Sequence, residues 1–177
     1  VELSEKFFAY CLIDNKQNLF KKKILMDDPS IPERNLTESL FVAELHSFLL
    51  DCSNYHPQSI GIALPGHFDE ENQSILTNNS FWTNFNFKQL LSNIDLPVYF
   101  KNNVHCMTLS ERLFGHDSTD NNFTFVHVGR GMFCSSIYQS NLYGDNNNLV
   151  GEIGHIVVHP DGELCECGKR GCLQTYA

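Results

Sequence analysis

Three of the seven cysteines fall within the eight residues Cys165-Glu166-Cys167-Gly168-Lys169-Arg170-Gly171-Cys172, and His155 lies ten positions upstream of the first. No other feature limits the fold as much, because three sulfurs drawn to one point fix the path of the chain between them. Thiolates and an imidazole are what a structural zinc ion uses to complete a tetrahedron. Glycines at 168 and 171 allow the sharp turns such a loop needs. The competing reading is a set of free thiols or a disulfide, but a bridge between Cys165 and Cys167 would be badly strained by so short a loop. Ligand type and spacing predict a zinc-holding loop.

The chain has 177 residues, enough for one large domain or two small ones. A hydrophobic fraction of 42% and an aromatic fraction of 12% supply a core. The formal net charge of -9 argues against this segment lying along nucleic acid, since phosphate contacts need clustered Lys and Arg. No basic-then-apolar signal opens the chain and no apolar run approaches ~18 residues, so no membrane partner is expected. The cysteine count is odd, and Cys11, Cys52, Cys106 and Cys134 stand in apolar surroundings. They read as buried free thiols of a reducing, cytoplasmic setting. Val1 begins almost inside a strand pattern, and Leu173–Tyr176 read as the start of a helix, so the chain is expected to continue on both sides.

Apolar, aromatic Phe7–Asp14 predicts a strand, Asn15–Asn18 a polar turn, and Leu19–Met26 its hairpin partner, ended by Asp27-Asp28-Pro29. Residues Leu36, Leu40, Phe41, Leu45, Phe48 and Leu49 recur at helical spacing, which predicts a helix over Asn35–Leu50. Ser59–Leu64 and Pro97–Phe100 read as buried strands, Asn86–Leu91 as a short helix, and Asn103–Phe114 as an amphipathic helix closed by Gly115. Phe123–Val128 and Phe133–Tyr138 are further strands, while the Asn-rich stretches 120–122 and 145–148 are loops. Hairpins first, then strands alternating with helices, indicate an α/β domain with a mixed sheet.

Four places carry chemistry. Leu64-Pro65-Gly66 ends a buried strand, where ligands collect in α/β sheets, but it also fits a plain turn. At Asn102-Asn103 a strand runs straight into a helix whose N-terminus favours an oxygen-rich ligand. Asn103 equally fits a simple helix N-cap. Gly129-Arg130-Gly131 resembles a phosphate-cradling turn, although Met132, Phe133 and Cys134 follow where small residues are wanted. Glu152 and His155, three apart, can both face a polyol, and His155 can alternatively ligate a metal because its two ring nitrogens are distinct.

The segment GEIGHIVVHPDGELCECGKRGCLQTYA resembles the signature of the ROK family, whose members are bacterial sugar kinases and sugar-responsive transcriptional regulators. That signature runs G-E-x-G-H, a short strand, then C-x-C-G-x-x-G-C-L-E. The resemblance extends through IGIALPG, through NNSFW around Trp82, through PVYFKNNVHCMTLSERLFG and through FVHVGRG. It implies an actin-like ATPase (ribonuclease H-type) fold with a mixed five-stranded sheet. Residues 1–118 would form the N-terminal lobe and 119–177 the start of a truncated C-terminal lobe, with sugar in the cleft. It also implies zinc held by His155, Cys165, Cys167 and Cys172. Sugar hydroxyls would be bound by Gly66, Asn102, Asn103, Glu152, His155 and Gln174.

The departures from the family pattern bear on activity. Kinases of the family carry an Asp at 103 as the base that takes the sugar's proton. Asn103 has no useful basicity, and general-base catalysis is typically worth about 10²–10⁴ in rate. The family's Asp-x-Gly-Gly-Thr phosphate loop would fall at Glu2–Lys6, which holds no glycine and two carboxylates that would repel ATP. Gln174 stands where a sugar-contacting Glu is usual. The expected function is the sugar-sensing domain of a ROK transcriptional repressor or regulator of carbohydrate metabolism, dead as a kinase. It would bind a sugar or sugar phosphate, self-associate as a homodimer or higher oligomer, and reach DNA only through a winged helix-turn-helix outside this chain. The alternatives are an active ROK sugar kinase and a degenerate member that binds no sugar.

Overall fold

The computed structural model describes residues 1–28, 35–76, 79–83, 85–115, 120–129, 131–144 and 150–177. Pro29, Arg130 of the glycine pair, Asn78 of the NNSFW segment and the Asn-rich stretch 145–148 lie outside them. The chain divides into two compact units, Val1–Asn103 and Val104–Ala177. The boundary falls within the first turn of a helix, upstream of the division after residue 118 expected from sequence.

The first unit is built on a five-stranded sheet of order β3-β2-β1-β4-β7. Strands β2 (Phe7–Ile13) and β3 (Leu19–Met26) form the expected hairpin. The carboxylate of Asp14 closes its turn, accepting from the backbone of Lys16 at 2.8 Å and of Asn18 at 2.9 Å. These hydrogen bonds, above all those from Asn18, hold the Asp14 carboxyl below its ordinary pKa. The centre of the sheet is β1 (Glu2–Leu3), antiparallel to β2 and parallel to β4 (Ile60–Leu64). Two residues are too short for any periodicity, so the sequence assigned them no strand. Strand β7 (Val98–Asn102) lies parallel to β4 and runs two residues further than expected, because the pairing continues through Ala63↔Lys101 and Leu64↔Asn102. A hairpin of β5 (His67–Asp69) and β6 (Ser74–Leu76) lies where the sequence suggested no strands. Three-residue strands leave no alternation to read.

Helix α1 (Glu38–Asp51) starts three residues later than its apolar pattern suggested, because Thr37 caps it, its hydroxyl accepting from the Leu40 N–H at 3.2 Å. Its buried face, Phe41, Leu45 and Phe48, packs in the core with Phe8 and Tyr10 of β2. Around Phe41 an aromatic cluster takes in Phe8, Tyr10, Phe85 and Phe87, with centroids 5.9–6.4 Å apart. Such pairs add about 0.5–1.5 kcal/mol each beyond their buried area. Short helices α2 (Ser80–Thr83) and α3 (Phe87–Leu90) deliver Trp82 and Phe87 to the same core. Cys11, expected to be buried, is exposed. It sits on the face of β2 opposite Phe8 and Tyr10, paired across to Lys22.

Helix α4 (Asn103–Phe114) follows β7 without a linker. In the second unit β8 (Phe123–Val128), β9 (Met132–Tyr138) and β10 (Asn141–Leu142) form an antiparallel sheet of order β10-β9-β8. Phe133 and Ile137 of β9 are buried, and the His105 ring of α4 lies 5.7 Å from that of Phe133. The remainder, Val150–Ala177, is a coiled segment held by backbone hydrogen bonds and two isolated bridges, Val157↔Cys172 and Leu164↔Arg170. Leu173–Thr175 make a 3₁₀ turn where a helix start was read. Among the described residues no helix is long and apolar enough to cross a membrane.

Candidate functional site

The cysteine loop closes as its sequence suggested. The Cys165 N–H donates to the Lys169 carbonyl at 2.8 Å, and the Gly168 N–H returns to the Cys165 carbonyl at 2.9 Å. Gly168 and Gly171 have φ of +87° and +70°, and at 171 a Cβ would overlap the His159 carbonyl, so only glycine fits there. The loop brings Cys165, Cys167 and Cys172 together with His155, their ligand atoms all within 4.8 Å of one another. The Cys165 sulfur is 3.6 Å from His155 Nδ1, and the Cys167 and Cys172 sulfurs are 3.6 Å apart.

All seven cysteines are free, and the neighbouring Cys167 and Cys172 sulfurs are not bonded to each other. Zinc takes sulfur at about 2.3 Å and imidazole nitrogen at about 2.0–2.1 Å, which sets tetrahedral ligand atoms about 3.5–3.8 Å apart. The two 3.6 Å separations match that figure and the whole set lies within 4.8 Å, so these four residues could hold a metal ion. Two of the thiols are shifted in opposite directions. The Lys169 backbone N–H holds the Cys167 thiol below its ordinary pKa. Burial, with Cys167 and Cys165 beside it, pushes Cys172 up to about 11. One thiolate forms readily and the next is opposed, a conflict that a bound cation removes.

His155 ends a 3₁₀ turn, Ile153–His155, that Glu152 leads into. With Nδ1 directed at Cys165, its Nε2 lies 3.9 Å from a Glu152 carboxylate oxygen. The two ring nitrogens thus serve different neighbours. Gln174 belongs to the same group: its Nε2 is 3.2 Å from Glu166 Oε1 and 3.7 Å from the Cys165 sulfur. Glu166 carried no signal in the sequence beyond its place between two cysteines. Gly154, inside the turn, is required by crowding, since a Cβ there would stand 2.5 Å from Gln174 Oε1 and 2.8 Å from the Met132 carbonyl.

In the first unit, buried Asn102 ends β7 and its Nδ2 donates to the Gly66 carbonyl at 2.8 Å. The parallel pairing of β4 and β7, with Leu64 opposite Asn102, places the turn after β4 beside the carboxyl end of β7. Asn103 is the first residue of α4. The turn between β1 and β2 holds Glu5, whose carboxylate accepts from the side chain of Asn79. Between β8 and β9 the glycine pair makes a tight hairpin, the Gly129 N–H donating to the Gly131 carbonyl at 3.0 Å, and Met132 is already paired with Val128.

A model of the ROK family matches residues 1–177, the full length of the chain. The chain belongs to the ROK family. The xylose repressor of Bacillus spizizenii is 28% identical over 160 residues, which cover 87% of this chain and 42% of that protein. The glucokinase of Thermotoga maritima is 29% identical over 121 residues, covering 67% of this chain and 38% of that enzyme. This ROK chain therefore spans less than half the length of these relatives. A crystal structure of a ROK family transcriptional regulator, a homologue of the E. coli MLC protein, superposes with a TM-score of 0.79 at 23% identity, over 99% of this chain and 45% of that one. That likeness establishes the actin-like fold expected from sequence, with its mixed five-stranded sheet.

Proposed function

We propose that this chain is the effector-binding part of a ROK transcriptional regulator, that it binds a sugar or sugar derivative, and that it does not phosphorylate it. The observation that carries this reading is Asn103 at the head of α4, directly after β7. Family kinases place the proton-accepting carboxylate at that position. An amide can donate to and accept from a hydroxyl but cannot take its proton. The turn before β2, with Glu5 in place of a glycine, and the closed hairpin at Gly129–Gly131 support the same conclusion for ATP, whose phosphates need free backbone N–H groups and no nearby carboxylate.

Asn102, Asn103, Glu152, His155 and Gln174 are the groups we assign to sugar hydroxyls, as the family resemblance implies. One structural zinc would be held by His155, Cys165, Cys167 and Cys172, fixing the turn that carries Glu152 and His155. Sugar binding would act on DNA through a winged helix-turn-helix outside this chain. Such coupling needs only a ligand that binds two arrangements of the protein with different affinity. A thiolate-rich metal site suits the reducing cytoplasm.

Calorimetric titration with hexoses, pentoses, N-acetylhexosamines and their phosphates, beside a coupled ADP-release assay over the same panel, tests the reading. Heat with at least one sugar and no sugar-dependent ADP release are expected. Ordinary turnover would make the protein a kinase, and no heat with any sugar would leave a domain that acts through protein contacts.

A further inference from the structure

Gln174 is turned toward the metal ligands. Its Nε2 faces two acceptors at once, the Glu166 carboxylate at 3.2 Å and the Cys165 sulfur at 3.7 Å. Chemistry fixes which end of the amide points there. A carbonyl oxygen directed at a carboxylate and a thiolate would be repelled by both, whereas the amide's two hydrogens satisfy both. Its oxygen is accordingly on the other side, against Gly154, where an added Cβ would stand 2.5 Å from it. The side chain thus spans from the sulfur of Cys165 to the turn Ile153–His155 that carries the fourth ligand and Glu152.

We propose that Gln174 is a positioning residue of the metal centre. One amide N–H donates to the Cys165 sulfur, the other is anchored by Glu166, and its carbonyl end holds the Glu152–His155 turn against the cysteine loop. A hydrogen bond donated to a thiolate withdraws charge from the sulfur and steadies its orientation. A glutamate at 174, the residue usual in the family, has no N–H to donate and would add a negative charge beside the thiolates. The exchange of Glu for Gln therefore moves this position from serving ligand hydroxyls alone to serving the metal loop. The amide hydrogens are taken up by Glu166 and Cys165, and the carbonyl oxygen is the end left for a ligand.

The proposal rests on the metal assignment made above, and cobalt separates the two. Co²⁺ titrated into the metal-free protein is expected to give one tetrahedral site per chain with a sulfur-to-cobalt charge-transfer band; no such site in the unsubstituted protein would end the metal assignment and this proposal with it. Given that site, Gln174→Glu and Gln174→Met are compared with it. Both keep the length of the side chain and lose the donor. Both are expected to retain one tetrahedral cobalt, with the charge-transfer band moved to lower energy and metal lost to a chelator at roughly 10- to 100-fold lower concentration. Glu166→Gln, which removes the anchor and not the donor, is expected to give a smaller shift of the same sign. Unchanged bands and unchanged chelator competition in both Gln174 variants would overturn the proposal while leaving the metal assignment standing. Should Gln174→Met lose its fold by circular dichroism, the nearly isosteric Gln174→Glu decides alone.

Discussion

The imidazole Nε2 of His155 lies 3.9 Å from a carboxylate oxygen of Glu152, one turn of 3₁₀ helix before it. Nδ1 is directed at Cys165, so a metal held at Nδ1 would leave Nε2 as the ring N–H, on the side of the Glu152 carboxylate. Glu152→Gln keeps the shape and removes the charge. Loss of a charged hydrogen bond to a sugar hydroxyl is worth about 1.5–3 kcal/mol. Sugar affinity measured by calorimetry is expected to fall roughly 10- to 100-fold, with a smaller loss of metal affinity in chelator competition. Equal sugar affinity in the variant would remove Glu152 from the ligand site.

The four-ligand group makes a sharp statement about composition. Purified protein is expected to carry about one zinc per chain by elemental analysis, and Cys167→Ser to lose it, since a structural site depends on all four ligands. Thermal melting should drop in the variant and, on chelation, in the wild type, to a similar temperature. A variant with full zinc content and an unchanged melting temperature would show the cluster to be a set of free thiols.

Restoring a carboxylate at the head of α4 tests how far the chain stands from a kinase. Asn103→Asp is expected to fold normally and to gain about 0.3–1 kcal/mol from the helix dipole. On the proposed reading it should nevertheless show no sugar-dependent ADP release, since the turn holding Glu5 and the Gly129–Gly131 hairpin would be unchanged. Appearance of kinase activity from this single change would place the whole defect at position 103.

Tyr10 gives the first unit an alkaline limit. Its phenol is buried in the core and donates to the Phe41 carbonyl at 3.2 Å. Burial, and then the Glu44 carboxylate, hold its pKa far above the ordinary 10.0. The folded state thus favours the neutral phenol. The resulting stability is fully present below about pH 10 and is lost as pH rises past 10 toward the folded value. Tyr10→Phe should cost about 1 kcal/mol near pH 7, the worth of the lost hydrogen bond. Urea denaturation should find the deficit shrinking or reversing above about pH 10. A constant deficit across that range would mean the phenol is not the titrating group.

What the sequence made legible follows the length of its signals. Helix α1 was readable because Phe41, Leu45 and Phe48 fall within a helical period, and the β2–β3 hairpin because an apolar, aromatic run is followed by a polar turn. The β5–β6 hairpin and β1 were not, since two or three residues hold no period, and Cys11 was misplaced because composition does not say which side of a strand faces out. The convergence of the three cysteines was legible because they stand close in sequence, and the family resemblance added His155, which the structure brings beside them. The clasp of Asn102 on Gly66 was not, because it depends on the register of two strands well apart in sequence. Nor was Glu166, whose role exists only once Gln174 is folded over the loop.

Strand β1 has a kinetic consequence. It joins the locally formed β2–β3 hairpin to β4, and its parallel pairing of Glu2 with Ala63 closes a loop of about 60 residues. Hairpins form in about 1–10 μs, long before such a closure is rewarded by contacts. The sheet is therefore expected to assemble as two separate pieces that β1 fastens last. Leu3→Ala, which removes a fully buried side chain from that fastener, should then speed unfolding by nearly all of its roughly 2–5 kcal/mol cost and leave the folding rate almost untouched in stopped-flow experiments.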